Sequence, residues 1–481
     1  MAKRRLLTIA LAAASAMTIV AHDFQGAVDR FVNQNIFKNA SVGVCVLRLD
    51  SGTVVAANAP HQSLITASTM KTVTSASALE LLGTDFTFLT EVNAVGKIHD
   101  NHLKGDLVVV GHGDPTLGSR HFAKMPNFVD SVVRAVKSLG INRIDGNIIF
   151  DESAYPFETF SDLWMAEDLA YDYGPGVHAL NFSDNLVSLS FDRSGNTATD
   201  FVFTPAVRNL EVVCHATIGD KQDMHRLLNI GPNPNILLYG SIKRSDKRYV
   251  SDFVNPNPAQ LLCDSIDAAL HNADIRVRHK HHHHADADTV LVMQYHSPKL
   301  KQIVQSLLDR SDNMFTEAVL RALALYNGQE ATAANGIATI DSLWRAKGLD
   351  TKPLFQRDGS GLARNGRASA HFFTQMLRQV NADSTAIGVP MASLMTRLGV
   401  TGNIGQRIKK SPLAGKIASK SGSMSDVQCY VGYFPVENPQ YSWAILVNNW
   451  HGSRANLKDE IELLLLNLFS GLGSTSSSAD E

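Results

Sequence analysis

Residues Ala67–Gly83 read ASTMKTVTSASALELLG. The pattern predicts a helix closed by Gly83, since glycine takes the left-handed conformation after a helix end at little cost. The helix opens with a serine and carries a lysine three positions on. Positions i and i+3 share a helix face, so Ser68 and Lys71 can touch. An ammonium is disfavoured near a helix N-terminus, which calls for an explanation. A serine hydroxyl is a poor nucleophile until a base takes its proton. A lysine that is partly desolvated, or near other cations, has a lowered pKa and can be that base. The Ser68 N–H at the helix start is also free for a developing oxyanion. Alone, S-x-x-K is a weak signal, and the plain alternative is a helix packed through small residues.

Two later segments change the weight. Ser311-Asp312-Asn313 opens the amphipathic run MFTEAVLRALAL and brings a second hydroxyl and an amide, able to pass a proton and hold a substrate amide. Lys420-Ser421-Gly422 ends a strand-like run. It brings a cation and a hydroxyl for a carboxylate, with a glycine that permits close backbone approach. S-x-x-K, S-D-N and K-[ST]-G in that order form a known catalytic signature.

The rest of the chain bounds the possibilities. At 481 residues it has room for two or three domains. A net charge of −2, with no basic stripe interleaved with aromatics, excludes a nucleic-acid partner as the expectation. The first 21 residues carry Lys3, Arg4 and Arg5, a short apolar run and small-residue cleavage options after Ala16 or Ala21. They read as a secretory signal peptide, and the protein is expected to be exported, periplasmic and at most peripherally membrane-associated. A retained anchor is the alternative. Cys45, Cys214, Cys263 and Cys429 lack C-x-x-C spacing, so no zinc site is expected. Export permits a disulfide, but Cys45 and Cys429 lie in apolar runs and read as buried small hydrophobes. His279–His284 (HKHHHH) reads as an exposed loop, with metal binding as the alternative.

Helix is expected over 23–37, then two strands around the turn Asp50-Ser51-Gly52. From about 86 to 296 short β-rich runs alternate with Gly, Asn and Asp turns, which predicts one or two mostly β modules. Helices return after 297. Three strand-like runs, a helix over about 454–470 and a low-complexity tail (473–481) follow. The first hairpin and the last three strands can form one antiparallel sheet covered by helices. The expected division is therefore 22–85 plus 297–472 as one domain, with 86–296 inserted between its halves.

With these motifs the chain resembles the S13 peptidases, the D-alanyl-D-alanine carboxypeptidase/endopeptidases also called low-molecular-mass class C penicillin-binding proteins. Further segments carry the likeness: GDPTL (113–117), WMAEDLAYDYGPGVHALNFSDN (164–185) and RDGSGLARNGRAS (357–369). It extends over roughly residues 25–470. Ser311 lies 243 residues after Ser68, a gap in which this family carries extra domains and ordinary β-lactamases do not.

The resemblance implies an α+β penicillin-recognising serine transferase fold, a five-stranded antiparallel sheet flanked by helices, with inserted β-rich domains. It implies no cofactor and no metal. Ser68 would be the acylated nucleophile and Lys71 its base. Ser311 and Asn313 would line the site, passing a proton to the leaving amine and binding the peptide. Lys420 and Ser421 would hold the terminal carboxylate beside Gly422. The backbone N–H groups of Ser68 and Ser423 would form the oxyanion hole. The implied substrates are peptidoglycan stem peptides ending in D-Ala-D-Ala, with β-lactam antibiotics as acylating inhibitors. The alternatives are a β-lactamase or esterase on the same site and a non-enzymatic cell-wall binding module.

Two positions depart from the family pattern. Ser421 stands where threonine is usual, keeping the hydroxyl, and Ala363 stands where serine is usual. Asp114 reads as a turn stabiliser, and Trp164, Asp168 and Tyr173 as packing and loop anchors. Arg357 and Arg364 read as surface or structural ion-pairing residues, with substrate contact as the alternative. Asp151 and Tyr155 are candidates to meet the third residue of a stem peptide.

Overall fold

The computed structural model describes residues 22–472, apart from 157, 232, 281–287 and 402–405. The expected signal segment, the histidines 281–284 and the tail from 473 fall outside the described residues. The strands Ser41–Arg48 and Val54–Asn58 pair as the expected hairpin, with Gly52 at φ +73° in its turn. Ser41–Arg48 also pairs antiparallel with Tyr441–Asn448, Val44 opposite Ile445. That strand continues the sheet through Val427–Phe434 and Ala418–Met424. The five-stranded sheet is thus assembled from both ends of the chain. A two-residue strand, Thr396–Arg397, adds a sixth at one edge.

Val427–Phe434 and Tyr441–Asn448 are buried at every residue. Unbroken apolar runs are what strands covered on both faces require. The pleat sends Val44, Val46, Trp443 and Ile445 to one face, against Val28 and Phe31 of the helix Phe24–Val32 and Leu457, Ile461 and Leu465 of the helix Arg454–Phe469. It sends Cys45, Cys429, Val431 and Leu446 to the other face, against the helices Met70–Leu82, Asn313–Tyr326 and Ala370–Ala382. All four cysteines are free, and Cys45 and Cys429 are fully buried.

Met70–Leu82 is buried on nearly every side. Its small residues let neighbours approach, and two of its hydroxyls tie it to other parts of the chain. Ser77 Oγ donates to Val73 O at 2.8 Å and accepts from Trp344 Nε1 at 2.9 Å, and Thr74 Oγ donates to Gly359 O at 2.7 Å. The helix starts later than expected. Ala67–Thr69 forms a 3₁₀ turn and the α-helix begins at Met70. Tighter winding keeps i and i+3 aligned, so Ser68 and Lys71 still share a face.

The segment between the halves begins and ends in one sheet. Its entry strand Leu89–His99 pairs antiparallel with its exit strand Thr289–His296, and also with His102–Gly111. Such adjacent ends let an insertion leave the host intact. Three- and four-stranded sheets follow within it. The mostly β expectation missed two helices here, Phe128–Ser138 and Pro258–Asn272. Phe128, Val132 and Val136, at four-residue spacing, pack with Leu262, Ile266 and Leu270 on the mixed sheet. Their start signals were readable: Asn127 caps Asp130 N, and Asn257 caps Gln260 N ahead of a proline at the first turn.

Candidate active site

Ser68 sits half-buried in the 3₁₀ turn, directly after Ala67, which is held at φ +47°. Lys71 has no exposed surface. Its Nζ donates to Ser68 Oγ at 3.0 Å, to Asn313 Oδ1 at 2.5 Å and to Ser360 O at 2.7 Å. Two of these acceptors are carbonyl oxygens with no proton to give. As a neutral amine Lys71 keeps its two protons on them, and its lone pair faces Ser68 Oγ. Burial lowers the ammonium from the ordinary lysine value to about 8, while Asp358, Glu317 and Asp312 oppose the shift. The expected cause, desolvation, is the larger one.

The amide of Asn313 joins three parts of the chain. It accepts from Lys71 and donates from Nδ2 to the backbone oxygen of Tyr173 at 2.6 Å. Asp312 caps this helix by accepting from Phe315 N at 2.9 Å. Ser311, left-handed at φ +60°, ends the preceding helix Leu300–Arg310. That break turns its Oγ to Lys420, whose Nζ lies at 3.0 Å and also donates to Ser421 O at 2.7 Å. Lys420 is lowered well below its ordinary value, by burial first and the Lys71 charge second, against Asp309. A buried cation with neutral oxygen partners gains most from an incoming carboxylate.

Gly422 is where the sheet meets the serine. A Cβ there would lie 2.4 Å from Thr66 O, 2.8 Å from Thr69 N and 2.9 Å from Ser68 N. All three are backbone atoms that cannot swing away. Ser423 follows on the exposed end of the strand, its Oγ held by Arg454 at 2.7 Å. The Gly422→Ala variant should fold yet acylate at least about tenfold more slowly, because displacing the strand misplaces the turn. Acylation rates measured with penicillin check this; a wild-type rate contradicts it.

The structure therefore brings Ser68, Lys71, Ser311, Asn313, Lys420, Ser421, Gly422 and Ser423 to one place. Three residues not singled out as site residues complete it. Ser360 supplies the carbonyl on Lys71. Glu317, one turn beyond Asn313, accepts from Gly359 N at 3.1 Å and Ser360 N at 2.8 Å. Asp358, fully buried, accepts from Gly361 N and Ala363 N, both at 2.7 Å, and from Trp164 Nε1 at 2.8 Å. A signal existed: the D-G-S-G stretch promises a tight loop, and a glutamate on the buried face of a helix needs partners.

The model of the D-Ala-D-Ala carboxypeptidase 3 (S13) family matches residues 24–467. The chain belongs to that family. This S13 enzyme is a serine-type D-Ala-D-Ala carboxypeptidase, which removes the binding-module alternative. It is 25% identical over 454 residues to the D-alanyl-D-alanine carboxypeptidase of Actinomadura sp. (strain R39), spanning 89% of this chain and 81% of that one. It is 22% identical over 410 residues to the D-alanyl-D-alanine carboxypeptidase DacB of Haemophilus influenzae, with 84% of each covered. The fold of the S13 enzyme matches penicillin binding protein 4 (dacB) from Haemophilus influenzae with a TM-score of 0.77 at 20% identity, over 92% of this chain and 99% of that one. That relative has also been solved with a β-lactam, at a TM-score of 0.73.

The secondary candidates of the S13 enzyme divide. Trp164 anchors the inserted segment to Asp358, and Tyr173 OH donates to Asp168 Oδ1 at 3.0 Å while its backbone oxygen reaches Asn313. Asp114 accepts from Thr116 N and Oγ at 2.8 and 2.7 Å, a turn-stabilising pattern. Arg364 pairs with Glu167 at 2.9 Å on the surface, and Arg357 is exposed. Asp151 accepts from Ser153 N at 2.8 Å, and Tyr155 packs with Val177, Ala179, Ala318 and Ala331. Ala363 is buried, and its N–H, not its side chain, serves Asp358. His279 lies 3.4 Å from Asp267. Among the described residues no group of three or more His, Cys, Asp or Glu is arranged to hold a metal ion. Among them also no helix is long and apolar enough to cross a membrane.

Proposed function

We propose that Ser68 is the acylated nucleophile, with Lys71 as its base, and that the enzyme trims peptidoglycan stem peptides in the periplasm. The supporting observation is the Lys71 Nζ, 3.0 Å from Ser68 Oγ, with two carbonyl oxygens occupying its other directions. In this reading Lys71 takes the Ser68 proton as Oγ attacks the penultimate D-Ala carbonyl carbon. The oxyanion is met by the N–H groups of Ser68 and Ser423. Lys420 and Ser421 hold the terminal carboxylate, Gly422 permits the close approach, and Asn313 binds the peptide amide. The peptide C–N bond breaks as Ser311 gives its proton to the departing D-Ala amine, and the proton that Lys71 took from Ser68 restores the Ser311 hydroxyl and leaves Lys71 neutral again. Water then cleaves the Ser68 ester, and Lys71 is again the base. Penicillin acylates the same oxygen, but its cleaved ring stays attached to the acyl group and deacylation is slow.

Segments 22–85 and 297–472 carry this chemistry, and 86–296 is an insertion that closes over it. Residues 1–21 direct export. The same acyl transfer extends to crosslinks, where the leaving amine belongs to a diamino acid of a neighbouring stem. Released D-Ala from a tripeptide ending in Lys-D-Ala-D-Ala, and monomers from crosslinked muropeptide dimers, are the products to measure. Release of D-Ala without dimer cleavage removes the endopeptidase part. Rapid turnover of a chromogenic cephalosporin with no D-Ala release favours the β-lactamase alternative.

A further inference from the structure

The buried carboxylate of Glu317 has no part in the steps above, yet it is one residue removed from the base. We infer that Glu317 is the positioning residue of Lys71: through the Gly359 and Ser360 amides it aims the Ser360 carbonyl at the lysine, and its charge governs the pH at which Lys71 becomes a base.

The geometry runs through a single residue. Ser360 donates its N–H to Glu317 Oε1 at 2.8 Å, and its carbonyl accepts Lys71 Nζ at 2.7 Å. Glu317 Oε2 takes the neighbouring Gly359 N–H at 3.1 Å. Two amides on two oxygens fix the loop in both position and tilt. Gly359 leaves little room there, since a Cβ on it would lie 3.1 Å from Leu320 Cβ and from Thr316 O. Glu317 also follows Asn313 by one helical turn, and Asn313 Oδ1 is another Lys71 acceptor. One turn of one helix therefore holds the lysine twice, directly through the amide and indirectly through the carboxylate.

The charges around the pair are few. Arg321 on the same helix faces Glu317, with NH1 at 3.6 Å from Oε2, and its far side reaches Glu158. Asp358 faces both Glu317 and Lys71, Asp312 also faces Lys71, and Lys420 is the nearby cation. Burial and the Asp358 charge raise the Glu317 carboxyl to about 7, against Arg321. A carboxyl and an ammonium titrating this close together share their protons as a pair. Removing the anion makes the Lys71 ammonium less stable, so the free base appears at lower pH.

The inference rests on Lys71 being the base, and the experiment separates the two claims. The second-order rate of penicillin acylation is followed by intact mass from pH 5 to 10 in the wild type, Lys71→Ala, Glu317→Gln and Glu317→Asp. The wild-type rate should rise with pH through about 8. Glu317→Gln should move that rise down by about one pH unit and lower the plateau. Glu317→Asp keeps the charge and shortens the reach, so it should lower the plateau with the rise left in place. A Glu317→Gln profile superimposed on the wild type overturns the inference. If Glu317→Gln does not fold, Glu317→Asp decides, and a rise moved by half a unit or a full wild-type plateau overturns it. Lys71→Ala acylating with the wild-type profile instead overturns the assignment of the base.

Discussion

Ser68→Ala should form no penicillin adduct and should lose D-Ala release by at least about 10⁴-fold. Every covalent step proposed here begins at Ser68 Oγ, and no neighbouring hydroxyl can replace it. Ser311 Oγ is turned toward Lys420 rather than Lys71. Thr69 Oγ donates to Thr66 O at 2.7 Å. The loss of one oxygen from a half-buried side chain leaves packing intact, so the variant should melt within a degree or two of the wild type. Intact mass after incubation with penicillin gives the answer directly. A wild-type protein carrying one drug mass beside an unmodified variant supports Ser68. A variant that still carries the adduct places the nucleophile elsewhere. Unlabelled wild-type protein with the drug consumed means fast deacylation.

Asp358→Ala should cost about 3–5 kcal/mol of stability and reduce acylation by about 100-fold or more. The carboxylate is completely buried and takes the N–H groups of Gly361, Ala363 and Trp164. Alanine leaves these donors without an acceptor in a dry site, and each such group costs about 1–3 kcal/mol. The loss in activity has a second origin. Gly361, at φ +76°, packs where a Cβ would stand 2.0 Å from Ala67 O, so the same loop braces the turn that carries Ser68. Ser360, the residue directly before that glycine, holds Lys71 through its carbonyl. Loosening the loop frees both partners of the reaction. Chemical denaturation and acylation rates measured together test this. Unchanged stability with lost activity would make Asp358 a reacting group; unchanged activity with lost stability would confine it to packing.

Much of this was legible in one dimension. The S-x-x-K spacing survives the change from α to 3₁₀ winding, because three-residue contacts exist in both. The hairpin at Gly52 and the strands at 418–448 were readable from turn residues and unbroken apolar runs. The helix start at Ser311-Asp312-Asn313 was readable, but the left-handed turn at Ser311 that aims its side chain at Lys420 was not, since no glycine or proline marks the join. The helices Phe128–Ser138 and Pro258–Asn272 were masked by the β-rich texture around them, despite clear caps. Glu317 and Asp358 looked like ordinary acidic residues, since burial is a property of packing and not of spacing.

By itself the sequence determined which groups the chemistry has available: a serine and lysine in contact range, a hydroxyl and amide at a helix start, a lysine and hydroxyl beside a glycine. Local periodicity sets such contacts, and no distant segment can undo them. Only the tertiary structure decided the state of those groups. It joined strands from both ends of the chain into one sheet and pressed Gly422 against the Ser68 turn. It also closed the inserted segment onto Asn313 through the Tyr173 carbonyl. Desolvation is what lowers the Lys71 ammonium toward usable pH. Residues from 68, 313, 360 and 420 must be packed together before any water leaves the site.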